Sequence, residues 1–333
     1  MRQTVFLRNC VTLLSVMYFE TADVRLYVFD DILNKEAYFG DKSKEIIDST
    51  PDIKGAEILI QGAPVDNYTY LEHLKECRGD VKIFGGYPIT HGIDTGTRFL
   101  LSKDGIIFNA LILITYAGKD FHIDVGHTAG WKSLGRTFTA TKANKNTLYE
   151  VDNFPAFQIY KHYLDIDFDE NFIENTMEFP LFVEQDNLSM LRHPANVNDD
   201  GSIELAGYIN EGMKVTITYG DPSVIINDVD ERAEELRQFD PQAILIYTCT
   251  MRKIFWNYFI NNEMAPFEKL APAGGFCTGG ELNRDLKTGR IMWHNITMLT
   301  IGMREGEKSE TLKDPVSVDT SRLHGQVALV KRL

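Results

Sequence analysis

AGGFCTGGELNRDLKTGRIMWHNITMLTIGMR, residues 273–304, is the stretch on which the fold turns. Two glycine pairs, Gly274-Gly275 and Gly279-Gly280, are followed at once by an acid, Glu281. A polar loop then leads to Trp293, His294 and Asn295, which open an apolar run. Glycine lets backbone approach a ligand or a neighbouring strand closely. Read as a site, the stretch offers exposed backbone and Glu281 to a ligand. Read as scaffold, it is tight strand–loop geometry with an acid in solvent.

Working outward, the same order of features occurs earlier in the chain. A helix, a strand at 57–60, a second helix, a strand ending at Gly85-Gly86 and a polar loop lead through Asn109 into the apolar run 110–116. In the second copy a helix, a strand at 243–247, a helix, a segment ending at Gly274-Gly275 and a polar loop lead through Asn295 into 296–303. This internal repeat matches Gly85-Gly86 with Gly274-Gly275 and Asn109 with Asn295. The expected fold class is α/β (mixed α+β), with two related lobes of mixed β-sheet and helices packed outside. Lobes facing each other would leave a cleft suited to a small molecule. The lobes are expected at 1–153 and 154–306, with 307–333 as a tail or linker.

Between the repeats the pattern is legible in pieces. Residues 4–19 and 24–29 read as strands, and 35–50 and 68–77 as helices. The threonine-rich stretch 132–149 reads as exposed strands, and 154–164 as a helix with Pro155 in its first turn. Asp221 followed by Pro222 predicts a capped helix running to about residue 238, then a buried strand over 242–248. An aromatic-rich helix is expected over 254–262. Trp131 either covers a pocket or anchors packing between lobes. In the tail, Leu323, Val327 and Val330 form a helical stripe, which predicts a signalling linker.

Composition limits the function. A formal charge of −14 argues against a nucleic-acid backbone as partner. The 4 cysteines are scattered without a CxxC pair, so they suggest reduced thiols in a cytoplasmic protein. No apolar run approaches the length of a membrane span. Arg2 and Arg8 before the apolar run 11–19 mimic a signal peptide, but no small-residue cleavage site follows, and Glu20 and Asp23 do.

Gly130-Trp131, Asp221-Pro222, Cys249-x-x-Arg252, Gly274-Gly275-Phe276, Gly280-Glu281-Leu282 and His294-Asn295-x-Thr297, in this order and spacing, resemble the FIST sensory domain family, in its N-terminal and C-terminal parts. The resemblance covers nearly the whole chain to about Gly306. It implies a prokaryotic signalling module that binds small ligands, with amino acids as the implied class. Such modules are joined to outputs such as a diguanylate cyclase, histidine kinase or chemoreceptor, and eukaryotic relatives carry an F-box. Family members usually begin with a further strand–helix block, so the N-terminal lobe is expected to be incomplete at its start, leaving the 4–19 strand partly uncovered. The output domain is expected on a partner or on a continuation of the chain.

The candidate ligand-binding residues are Cys249, Arg252, Gly274, Gly275, Cys277, Glu281 and Asn295, with Gly85 and Gly86 from the related lobe. Cys249 and Arg252 fall just past a buried strand, where α/β sites lie. Arg252 offers a planar fork for a carboxylate, and Glu281 would accept from an ammonium group, which together suit a zwitterionic amino acid. The alternative is that Arg252 and Glu281 pair with each other. Cys277, His294 and Asn295 are the residue types of a cysteine hydrolase. No histidine spacing indicates a metal, and neither a P-loop nor a dinucleotide fingerprint is present, so no cofactor is expected. The expected function is a small-ligand-binding sensory module that is not an enzyme. A protein-interaction adaptor is the alternative, and a cysteine hydrolase the third reading.

Overall fold

The computed structural model describes residues 15–62, 64–88, 100–169, 172–185, 188–256, 260–285 and 288–319. Two sheets organise them. The larger runs in the order Asp23–Phe29, Leu111–Ala117, Ile53–Ile60, Lys82–Pro88, Ala273–Arg284, Ala243–Cys249, Met298–Glu305 and Phe121–Thr128, with Ile291–His294 paired to the end of Ala273–Arg284. It is mixed. Ile53–Ile60 lies parallel to Lys82–Pro88, Ala243–Cys249 lies parallel to Ala273–Arg284, and all its other pairings are antiparallel. With helices beside the strands, the fold is mixed α/β, as the alternating pattern predicts.

The internal repeat is visible in the register. Ile58 stands opposite Gly85, and Ile246 opposite Gly275. Both glycines have positive φ, 150° and 154°, and an added Cβ would lie 2.0 Å from the Ile58 carbonyl oxygen or 1.7 Å from that of Ile246. The backbone N–H of Gln61 donates to Ala110 O, and that of Cys249 to Thr297 O, each at 3.0 Å. The equivalent residues are therefore Gly85 with Gly275 and Asn109 with Ile296. The sequence match of Gly85-Gly86 to Gly274-Gly275 and of Asn109 to Asn295 is one residue out. Backbone conformation supports the correction, because Asn109 and Ile296 are both left-handed, with φ of 48° and 61°.

The repeats do not face each other as separate lobes across a cleft. They join edge to edge, with Lys82–Pro88 antiparallel to the second half of Ala273–Arg284. Thr278 pairs with Pro88 on one side and with Cys249 on the other. The two parallel pairs run in opposite directions and are staggered, so their C-terminal ends meet in the middle of the sheet. Glu57 ties the halves together, accepting from the hydroxyl of Tyr116 at 2.5 Å and from that of Tyr247. Burial pushes the Glu57 carboxyl up, against the pull of those two hydroxyls.

The opening stretch proves to be strand rather than loop. Ala273–Arg284 is continuous, with a bulge between Thr278 and Gly280. The second glycine pair makes room on its surface. A Cβ on Gly279 would meet the Tyr87 ring at 2.0 Å, and one on Gly280 would meet the Trp293 indole nitrogen at 2.6 Å. The Tyr87 and Trp293 rings stack over this strip, 5.2 Å apart and 7° from parallel.

The second sheet is antiparallel, in the order Leu188–Arg192, Leu181–Gln185, Lys214–Gly220, Trp131–Asn144, Thr147–Val151, Ile203–Leu205, Pro194–Val197. Its two end strands are separated in the chain by His193 alone, so the sheet curls back on itself. Inside the curl lie Leu148, Leu181, Val183, Ile203, Val215 and Ile217. The expected boundary at 153/154 falls within this sheet.

Helix Pro222–Phe239 forms where the cap predicts, with the Asp221 carboxylate accepting from Ser223 N at 2.9 Å. Its stripe of Ile225, Val229, Ala233 and Leu236 is buried. The helix expected over 154–164 is shorter, Gln158–Leu164. Phe154–Pro155 pairs instead with the Thr147–Val151 strand, at a strand end where a proline costs little of the ladder. Of the helix expected over 254–262, the described residues lie in Thr250–Trp256 and Ile260–Leu270.

Of the strand expected over 4–19, residues 1–14 lie outside the described residues and 15–19 form no strand. Met17 and Phe19 pack against the cluster that contains Phe84, Tyr116 and Tyr247. The sheet edge is Asp23–Phe29, which pairs only with Leu111–Ala117 among the described residues. The tail stripe of Leu323, Val327 and Val330 also lies outside them.

Candidate functional site

A cleft of about 670 Å³ opens where the C-terminal strand ends of the large sheet meet the curled second sheet. Cys249, Thr250 and Met251 contribute from the second repeat, and the loop around Asp66–Tyr68 from the first. Thr278, Gly279, Trp293 and Asn295 form the central part, and Lys145, His193 and 204–208 come from the second sheet. This placement obeys the rule that α/β sites lie outside the carboxyl ends of strands.

Asn295 is 1% exposed, and neither its amide oxygen nor its amide nitrogen has a partner among the described residues. It precedes Ile296, whose left-handed conformation is a genuine outlier for a β-branched side chain. The turn is pinned, because Ile296 packs against Cys249 and Leu191 while Thr297 O holds Cys249 N. Strain of this kind persists where surrounding structure over-determines it, often at sites. His193, at the junction of the two end strands, is also buried, with both ring nitrogens unpartnered. Burial pulls its pKa down to about 4, so it is neutral near pH 7. Asn67, on the same wall, adds a buried Oδ1 without a partner among the described residues, and buried polar groups are nearly always hydrogen-bonded.

Cys249 lines the cleft with its thiol held protonated. Burial, with the nearby Glu281 charge adding to it, pushes its pKa up to about 12, so the nucleophilic thiolate is scarce. Glu281 lies behind Thr278 and is fully buried. It accepts from the Thr278 hydroxyl and from the Thr297 hydroxyl at 2.7 Å. Burial raises its pKa to about 8, and the threonine hydrogen bonds and the Arg252 charge oppose the rise.

Arg252 does not reach the cleft. Its Nε donates to Glu263 at 2.6 Å, and Nη1 to the Ala129 carbonyl at 2.5 Å, with further bonds to Thr128 and Ile296. The guanidinium also lies over the Trp131 ring at 5.6 Å. The fork proposed for a ligand carboxylate is thus filled by protein, and Arg252 pairs with Glu263 rather than with Glu281. Trp131 serves packing, against Phe255 and Arg252.

The remaining candidates also sit off the wall. Gly85 and Gly275 meet strand backbone, Gly86 meets Gly280 and Thr278, and Gly274 meets Ser15. Cys277 is half-buried beside Lys253, and burial raises its thiol pKa. His294 Nε2 is 2.7 Å from Asn283 Oδ1, with no hydrogen bond to Cys277 among the described residues. The structure therefore assembles no cysteine–histidine pair from Cys277 and His294.

Sequence reasoning missed His193, Thr278, the Tyr87–Trp293 stack and the Tyr68–Tyr208 stack, whose rings lie 3.8 Å apart. Asp66 could have been found as a helix cap, since it accepts from Tyr68 N and Thr69 N. Nothing local marks His193. Among the described residues no cluster of three or more His, Cys, Asp or Glu could hold a metal, and no helix is long and apolar enough to cross a membrane.

Comparison with known proteins agrees with the resemblance seen in the sequence. The chain matches the FIST N domain over residues 3–153 and the FIST C domain over residues 156–284. No curated protein matches it. With both parts matched in order, the chain belongs to the FIST family, whose domains are sensory domains of signal transduction proteins.

Proposed function

We propose that this chain binds a small ligand in the central cleft as the sensing step of a signalling protein. The observation that carries the reading is the pair Asn295 and His193, two residues of the cleft lining whose four side-chain polar atoms are buried without a partner among the described residues. A ligand that meets them recovers hydrogen bonds the folded protein otherwise forgoes. The stacked aromatic pairs favour a flat or partly apolar body. Amino-acid sensing through an Arg252–Glu281 zwitterion clamp is not supported, since both side chains are occupied by protein partners. For an amino acid, the cation that lines this cleft and could meet its carboxylate is Lys145, which pairs with Asp66 at 3.7 Å.

The test is calorimetry with a panel of amino acids, primary amides and neutral heterocycles against wild type and Asn295→Leu. A ligand bound by wild type and weakened at least about tenfold in the variant is the expected result. Equal affinity in the two proteins removes Asn295 from the site, and a panel without any binder counts against ligand sensing in this cleft.

An adaptor role has one observation in its favour. The Asp23–Phe29 edge exposes Val24, Leu26 and Val28, of which Leu26 is 56% exposed. An edge with apolar side chains is a template for strand addition by a partner. Catalysis by a cysteine has no comparable support, because both thiols near the cleft are raised by burial.

A further inference from the structure

A second cleft, of about 680 Å³, shares Tyr68, Tyr208 and Trp293 with the first as a common wall. Arg192 lines it and is 1% exposed. A guanidinium keeps its charge at any ordinary pH, and a buried charge is normally paired. Arg192 is paired with no carboxylate among the described residues. Its Nε donates to Tyr208 O at 3.0 Å, and Nη1 to Leu191 O at 3.0 Å and Trp293 O at 2.9 Å. Its Nη2 has only the Met190 thioether, at 3.2 Å, and thioether sulfur is a weak acceptor.

The other buried arginines differ. Arg252 has Glu263, and Arg232 has Asp124 and Glu235. Arg284 and Arg304 also lack a carboxylate among the described residues, but the Nη groups of Arg284 go to the carbonyls of Lys75, Cys77, Arg78 and Val81, Nη1 of Arg304 goes to the Gly306 carbonyl, and neither lines either cleft. Arg192 alone of these five lines one of the two clefts, and its Nη2 meets only a thioether among the described residues. The cleft is also lined by Lys75, which pairs with Glu72 at 2.6 Å, and by Arg290, in a protein whose net charge is −14.

We propose that this second cleft is an oxyanion site, in which a carboxylate or phosphate group of a small ligand docks on Arg192 Nη2. Lys75 and Arg290, on exposed segments, raise the local anion concentration at its approach. A hydrogen bond from the cationic guanidinium to an anionic oxygen is charge-assisted, and so shorter and stronger than a neutral one.

The experiment titrates full-length protein with inorganic phosphate and, separately, succinate. It is followed by NMR or thermal shift at constant ionic strength set with chloride, and compares wild type, Arg192→Gln and Asn295→Leu. Saturable binding of one probe is expected, weaker by at least about tenfold in Arg192→Gln and unchanged in Asn295→Leu. The probe that saturates at lower concentration distinguishes a phosphate from a carboxylate ligand. Where Arg192→Gln fails to fold, Lys75→Glu combined with Arg290→Glu must weaken binding severalfold. Absence of saturable binding by either probe, or equal binding in wild type and the charge variants, overturns the proposal.

Discussion

The two repeats share a backbone and differ in what they do with it. In the first, Gln61 at the strand end uses its side-chain oxygen to accept from Asn109 N at 2.5 Å, and Asn109 occupies the left-handed position. Asparagine tolerates that conformation, so this copy closes its own strand end. In the second, the residue equivalent to Gln61 is Cys249, with no side-chain carbonyl, and the left-handed position holds Ile296. The neighbouring Asn295 is left unpaired on the cleft wall. The frame is common to both copies; on the cleft wall the second copy leaves both Asn295 side-chain atoms without a partner among the described residues, the first leaves only Asn67 Oδ1, and His193 adds two ring nitrogens from the other sheet.

The largest effect that would sharpen this contrast lies in the second copy. Arg252→Leu leaves Glu263 buried without its partner and is expected to cost about 3–5 kcal/mol in urea unfolding. Adding Glu263→Leu should recover much of the loss. If Arg252→Leu is instead nearly neutral, Glu263 is not left as an uncompensated buried charge.

Next come the equivalent glycines. Gly85→Ala and Gly275→Ala each force a Cβ onto a strand carbonyl at positive φ, at a cost of about 3 kcal/mol. Chemical denaturation should give similar values for both. A large inequality would break the equivalence of the two copies.

A pH series gives the third comparison, between Glu281 and His193. Glu281, raised from 4.5 to about 8, holds its proton in the folded state longer than in the unfolded state. Its contribution is full below pH 4.5 and is lost as pH rises through about 8. His193, lowered from 6.5 to about 4, does the opposite, and its contribution is lost as pH falls from 6.5 towards 4. The two slopes oppose each other between 4.5 and 6.5, and above 6.5 only that of Glu281 remains. Stability should therefore fall by about 2 kcal/mol between pH 6.5 and 8. Glu281→Gln should flatten that limb, and an unchanged limb would mean that Glu281 is ionised throughout.

The smallest effect is Asn109→Ile, which gives the first copy the residue of the second. Placing a β-branched side chain in the left-handed region is expected to cost about 1 kcal/mol, read as a lowered melting temperature. A stabilised variant would show that the first turn does not depend on asparagine.

Much of the frame could be read from the chain, because alternation, caps and glycines act locally. Asp221-Pro222 placed a helix start correctly, and the repeat order gave mixed α/β. The glycine-rich stretch misled because glycine suits both loops and strands over which aromatic rings stack. Only the position of Tyr87 and Trp293 decides between them. Of the candidate site, Cys249 and Asn295 lie on the cleft wall and Arg252 does not. Its partner Glu263 is on the next helix, a pairing that no single-helix spacing reveals. His193 was invisible because its burial depends on the curl of a sheet whose ends are distant in pairing but adjacent in sequence.

The Glu57 bridge has a consequence for how the protein is made. Residues 23–128 carry Glu57, Phe84 and Tyr116, yet Tyr247 and the strands at 273–305 that complete their sheet come far later. At the usual pace of translation, the ribosome needs on the order of ten seconds to supply the missing partners. Throughout that interval the nascent chain presents an open sheet edge and an unclosed apolar face. Its yield in a cell should therefore depend on chaperone holding and on elongation speed, more than the stability of the finished molecule would suggest.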